Sequence, residues 1–159
     1  MRLARAVVFV AVFLALPHAY AEESVLAKRA LSGNELTLQD GRVLRLLGIK
    51  AAQPEAKETL NTVVAGKTLT LQDAKEDRFG RIEATAFVEG QARSIAEILL
   101  REGAAFVYPT IDEEPLDDFF DAEAVARNGK RGFWAAPRDV PAKDAAAFIG
   151  KFTFVMDVV

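Results

Sequence analysis

SGNELTLQDGRVLRLLGIKAAQ, residues 32–53, decides how the rest of the chain is read. Leu36 and Leu38 alternate with polar neighbours, and Val43, Leu44, Leu46, Leu47 and Ile49 form a denser apolar run. Two turn pairs, Gly33-Asn34 and Asp40-Gly41, bracket the first run, and such residues tolerate the backbone angles tight turns require. The two runs therefore read as strands. Upstream, Val25 to Leu31 alternates weakly and completes a three-stranded meander. Downstream, Pro54 stands at a first helical position, Glu55 in the first turn, and Ala56, Leu60, Val63 and Val64 recur at helical spacing before Gly66. Thr68 to Gln72 and Ile82 to Val88 alternate again on either side of the charged connection KEDRFGR. Ser94 and Glu97 form a capping box for a second helix that stops at Gly103. A third helix, Pro115 to Arg127, carries Leu116, Phe119, Phe120, Ala124 and Val125 on its apolar side, with Phe133 and Trp134 read as core aromatics just beyond. Five short strands with a helix between the third and fourth predict an α+β, mainly β, fold: a five-stranded Greek-key barrel with three helices.

Composition narrows the chemistry. The 159 residues include no cysteine and one histidine, His18. Arg2 and Arg5 precede an uncharged, almost wholly apolar run from Ala6 to Pro17, which leads to Ala19-Tyr20-Ala21. That is the pattern of a secretory signal peptide over residues 1–21, with cleavage before Glu22; an uncleaved anchor is the alternative, although the run falls short of the ~20 apolar residues a bilayer requires. Cleavage leaves 138 residues, with a domain over 22–136 and, over 137–159, a linker or loose helix followed by a strand. It also removes His18, so Ser-His-Asp hydrolysis, thiolate nucleophiles and histidine or cysteine metal sites are excluded. The remaining 18 basic residues face 23 acidic ones, a net charge of −5 that repels long polyanions. The expected location is secreted, in the periplasm, with no membrane association after cleavage.

Seven local strings then occur in one order: Gly33 with its following strand, Arg45-Leu46-Leu47-Gly48-Ile49, Pro54-Glu55-Ala56, Ala65-Gly66-Lys67, Asp77-Arg78-Phe79-Gly80-Arg81, Gly103 to Tyr108, and Ala122-Glu123-Ala124 through Gly132-Phe133-Trp134. Over residues 25 to 135 this resembles the thermonuclease family of staphylococcal nuclease-like domains. The resemblance implies an oligonucleotide-binding-type barrel and, in active members, calcium-dependent cleavage of DNA or RNA phosphodiesters. There calcium is held by carboxylates, two arginines clamp the phosphate, and a glutamate positions or deprotonates the attacking water.

Carried over residue by residue, the arginines survive as Arg45 and Arg81 and the acids do not. Ser32-Gly33-Asn34-Glu35 stands where active relatives have Asp-Gly-Asp-Thr, and Gly48-Ile49-Lys50-Ala51-Ala52-Gln53 where they have Gly-Ile-Asp-Ala-Pro-Glu. Ser32, Asn34 and Lys50 are thus degenerate metal positions, and no metal or other cofactor is expected unless calcium is held by Asn34, Glu35 or other acids. Sliding Pro54-Glu55 onto the catalytic pair would make Glu55 the base; its place at a helix start reads better as a helix-capping acid. Arg45, Arg81 and Lys50 form a candidate site for a phosphate, a sulfate or a partner's carboxylate, or else the arginines pair internally with Asp73, Asp77 or Glu83. Tyr108 and Phe79 are the base-stacking candidates.

Seven acids and no base lie between Asp112 and Glu123, a further reason to disfavour a long nucleic acid as partner. The segment 148–159 has a strand pattern without an evident partner and resembles the opening of a second domain cut short; the alternatives are pairing with the barrel or with another chain. The expected function is that of an exported thermonuclease-like domain that has lost its calcium-dependent activity and binds a small anion, a nucleotide or a protein. The alternative is an active calcium-dependent nuclease.

Overall fold

A computed structural model describes residues 23–52, 55–109, 116–136, 139–149 and 154–156. Residues 1–22, which include the stretch read as a signal peptide, Gln53, Pro54, residues 110–115 and parts of the tail lie outside these residues. Strands β1 (Glu23–Ala30), β2 (Glu35–Leu38), β3 (Val43–Leu46), β5 (Thr68–Glu76) and β6 (Ile82–Val88) close into a barrel in the order β1-β2-β3-β6-β5. All of its pairings are antiparallel except β3 with β6. The five strands are those that alternation predicts, because a small barrel buries one side of every strand and wets the other. In β6 the even-numbered residues Ile82, Ala84, Ala86 and Val88 are buried and the odd-numbered ones face outward. Leu36, Leu38, Leu44, Leu46, Leu69 and Leu71 fill the interior, each contributing about 1.5–3 kcal/mol.

Helix α1 (Ala56–Val64) begins one residue after Glu55, which occupies its N-cap position, and buries Ala56, Leu60 and Val64. Helix α2 (Ile95–Arg101) opens on the expected capping box, in which the Ser94 hydroxyl accepts from the Glu97 N–H and the Glu97 carboxylate accepts from the Ser94 N–H. Two three-residue strands, β4 (Ile49–Ala51) and β7 (Ala105–Val107), form a separate antiparallel pair. The run read as one strand from Val43 to Ile49 is broken at Gly48, which has φ +71°. A Cβ there would lie 2.7 Å from the Phe119 ring, so the turn between β3 and β4 demands glycine twice over.

Helix α3 (Asp117–Asn128) corrects the expected apolar face. It buries Ala122, Glu123 and Ala126, while Phe120 is 53% exposed and Ala124 lies in solvent. Close packing of α3 against α2 favours small side chains, and the buried carboxylate has partners: Glu123 Oε2 accepts from the Val107 N–H at 2.6 Å and Oε1 from Arg127 at 2.8 Å. Phe133 is buried as expected, and the Arg127 guanidinium lies 4.1 Å from the Trp134 ring centroid. In the tail, residues 142–148 form a 3-10 helix where the sequence reads as linker or loose helix, and strand β9 (Phe154–Met156) pairs in parallel with β8 (Asp139–Pro141), a partner within the tail itself. Among the described residues no helix is long and apolar enough to cross a membrane.

Candidate functional site

The outward residues of β2, β3, β6 and β5 set Glu35, Arg45, Glu83 and Lys75 level with one another, Arg45 partnering both Glu35 and Glu83, and Glu83 partnering Lys75. This row alternates in sign from strand to strand. Arg81 precedes Glu83 by two positions and faces the same side. Its NH1 donates to Glu35 Oε1 at 2.6 Å, its Nε to Asp77 Oδ2 at 2.8 Å, and its NH2 lies 2.7 Å from the same oxygen. Arg45 NH1 donates to Glu83 Oε1 at 3.2 Å. Both arginines are therefore held by the chain's own carboxylates, as in the alternative reading that pairs them with Asp77 and Glu83. Asp73 instead sits at a bulge in β5 with φ +54°.

Asp77 is fixed by its turn. Oδ1 accepts from the Phe79 and Arg81 N–H groups at 2.8 and 3.0 Å. Burial alone would raise its carboxyl, but these backbone bonds and the Arg81 guanidinium outweigh it and hold Asp77 below the usual aspartate value. The hydrogen bond to Asp77 in turn raises Arg81, against a smaller opposing effect of burial.

Among the residues read from sequence as degenerate metal positions, Asn34 Oδ1 accepts from the Ser32 hydroxyl at 3.2 Å, and Nδ2 donates to the Ile49 carbonyl at 3.4 Å. Gly33 makes this approach possible, since a Cβ there would lie 2.6 Å from the β-carbons of both Ala51 and Ala56. Lys50 is exposed on β4, with Nζ 5.1 Å from the Tyr108 ring centroid. Phe79 is 66% exposed and lies against Arg78 and Arg81, at 4.7 and 5.2 Å, while Tyr108 is 51% exposed. The arginines, Glu35 and Phe79 thus form one connected cluster on the barrel, whereas Lys50 contacts Tyr108 from the separate β4–β7 pair. Among the described residues no group of three acids or histidines is placed to share a metal ion.

Sequence reading missed Glu35 as a partner of Arg81. Part of the signal was available: counting back from the Asp40-Gly41 turn pairs Thr37 with Val43 and hence Glu35 with Arg45. Reach across to Arg81 depends on the parallel β3–β6 pairing, which no local pattern encodes.

The closed five-stranded barrel with its helices is of the nuclease-type class, and comparison with known proteins agrees. Residues 45–136 match the family described as Staphylococcal nuclease homologue. The chain is 32% identical over 124 residues to an uncharacterized endonuclease of Escherichia coli, covering 71% of this chain and 78% of that protein. It is 36% identical over 112 residues to a probable staphylococcal-like nuclease of Oryza sativa subsp. japonica, covering 67% of this chain and 32% of the rice protein. The chain belongs to the staphylococcal nuclease homologue family.

Proposed function

We propose that this chain is a member of the family that binds without hydrolysing: a secreted domain whose exposed barrel face takes a compact anion of the phosphate class. The observation that carries this reading is the fate of the family's metal and clamp positions. Calcium takes six to eight oxygen ligands, usually including carboxylates. Asn34 instead gives its amide N–H to the Ile49 carbonyl, Lys50 extends over Tyr108, and the nearby Glu35 and Asp77 carboxylates are bonded to Arg81. This donor set does not fit calcium. Arg45 and Arg81 still present guanidinium groups to solvent, with side chains 36% and 26% exposed. A surface pair such as Arg45–Glu83 contributes only about 0–1 kcal/mol, so a doubly charged phosphate that makes two bonds at once outcompetes it. The alternation of sign along the row and the net negative chain disfavour an extended polyanion.

The second reading, an active calcium-dependent nuclease, is favoured by the relatives named as endonuclease and staphylococcal-like nuclease. One pair of measurements separates the two. Incubated with single-stranded DNA and RNA in millimolar calcium, the purified chain leaves both intact, and titrated with adenosine 3′,5′-bisphosphate in excess chelator it binds with a Kd of about 1 mM, equivalent to about −4.1 kcal/mol. Calcium-dependent scission that chelator abolishes would establish the second reading instead. Absence of binding in chelator removes the anion site.

A further inference from the structure

The donors of Arg81 divide its two carboxylates by role. Asp77 Oδ2 covers the Nε–NH2 edge of the guanidinium, and Oδ1 is tied into the turn backbone at Phe79 and Arg81. Its side chain is only 10% exposed. Glu35 reaches across from β2, 46 positions away in sequence, and bonds NH1. NH1 belongs to the end-on edge of the guanidinium, the edge through which a second oxyanion can bind in bidentate fashion once Asp77 holds the first. The Phe79 ring lies over one face of the group at 5.2 Å, and an oxyanion bonds a guanidinium in its plane, along an edge. Glu35 therefore stands where one oxygen of a bound anion would stand.

Resting on the anion-binding reading above, we infer that Glu35 is an internal competitor that occupies the Arg81 end-on edge until a ligand displaces it, and that Asp77 is the positioning residue that keeps Arg81 aimed when it does. The two residues carry the same charge, contact the same guanidinium and have opposite effects on binding. The resting contact also sets selectivity. A ligand must offer at least two oxygens and more charge than one carboxylate to displace Glu35, which selects phosphate monoesters over monocarboxylates.

The test compares the native chain with Glu35→Gln and Asp77→Asn by calorimetric titration of adenosine 3′,5′-bisphosphate in excess chelator. Circular dichroism and Tm check folding, and Glu35→Thr replaces the first variant if it fails to fold. The expected result is binding about tenfold tighter for Glu35→Gln, since the ligand no longer displaces a charge-assisted hydrogen bond, and at least about threefold weaker for Asp77→Asn, since Arg81 loses its anchor. If both variants tighten binding alike, each carboxylate acts only through its charge; the competitor and positioning roles are then overturned while the anion site stands. If Glu35→Gln leaves the affinity at the native value, Glu35 is no competitor. Absence of heat from all three proteins overturns the anion site itself, and the inference with it.

Discussion

Two arginines in this molecule have nearly the same partners and opposite surroundings. Arg81 bonds Glu35 at 2.6 Å and lies against Phe79; Arg127 lies 2.6 Å from Glu123 and against Trp134. The difference is what stands behind each carboxylate. Glu123 is 5% exposed, and its second oxygen accepts the Val107 N–H, so it ties α3 to β7 through backbone as well as side chain. Glu35 is a quarter exposed, and Phe79 on the other side of Arg81 is mostly in solvent. A carboxylate that also satisfies a buried main-chain donor is a fixed part of the fold. One that meets only a guanidinium at the surface can be exchanged. The comparison teaches that an arginine-carboxylate-aromatic triad carries no function by itself and takes it from the depth of its acid.

The sharpest way to break this contrast is Glu123→Ala. It removes the acceptor of the part-buried Val107 N–H, while Arg127, with a half-exposed side chain, regains water, so the expected destabilisation is about 1–2 kcal/mol by urea unfolding. An unchanged midpoint would mean that the latch is ornamental. Asp77→Asn acts more mildly and through pH. Because the folded Asp77 carboxyl is held below its ordinary value, the unfolded chain takes up that proton first on acidification. Native stability from this group is present above about pH 4 and is lost as pH falls through the lowered folded value, so the urea midpoints of the native chain and the variant converge as pH falls below about 4. Parallel curves over that window would sever Asp77 from the Arg81 turn. The smallest effect is expected at Phe120→Ser, where a residue once placed in the core is exposed; the change in stability stays within about 0.5 kcal/mol, and a larger loss would restore the apolar face read from sequence.

How far the sequence could be read follows from the range over which each interaction acts. Alternation along Leu36, Leu38, Leu44 and Leu46 announces a barrel strand because inside and outside are decided residue by residue. The Ser94-Glu97 box is legible for the same reason, being complete within four residues. β4 and β7, at three residues each, are too short to show any period, and their pairing joins Ile49 to Val107. The face of α3 was misread because hydrophobicity pointed to Phe120, whereas the packed side uses Ala122 and Ala126 around a satisfied Glu123. At the candidate site, Arg45, Arg81 and Asp77 stand out as identities within local strings. Glu35 reads from sequence only as a candidate calcium ligand, since its partner Arg81 comes into reach when the barrel closes.

The row Glu35, Arg45, Glu83, Lys75 has one further effect, on how anything arrives. Its charges reverse sign at each strand, about every 4.8 Å, a distance shorter than the ~8 Å over which physiological salt screens a field. Seen from afar the face is electrically mute. Encounter there proceeds without long-range guidance from this row, and discrimination begins only on contact.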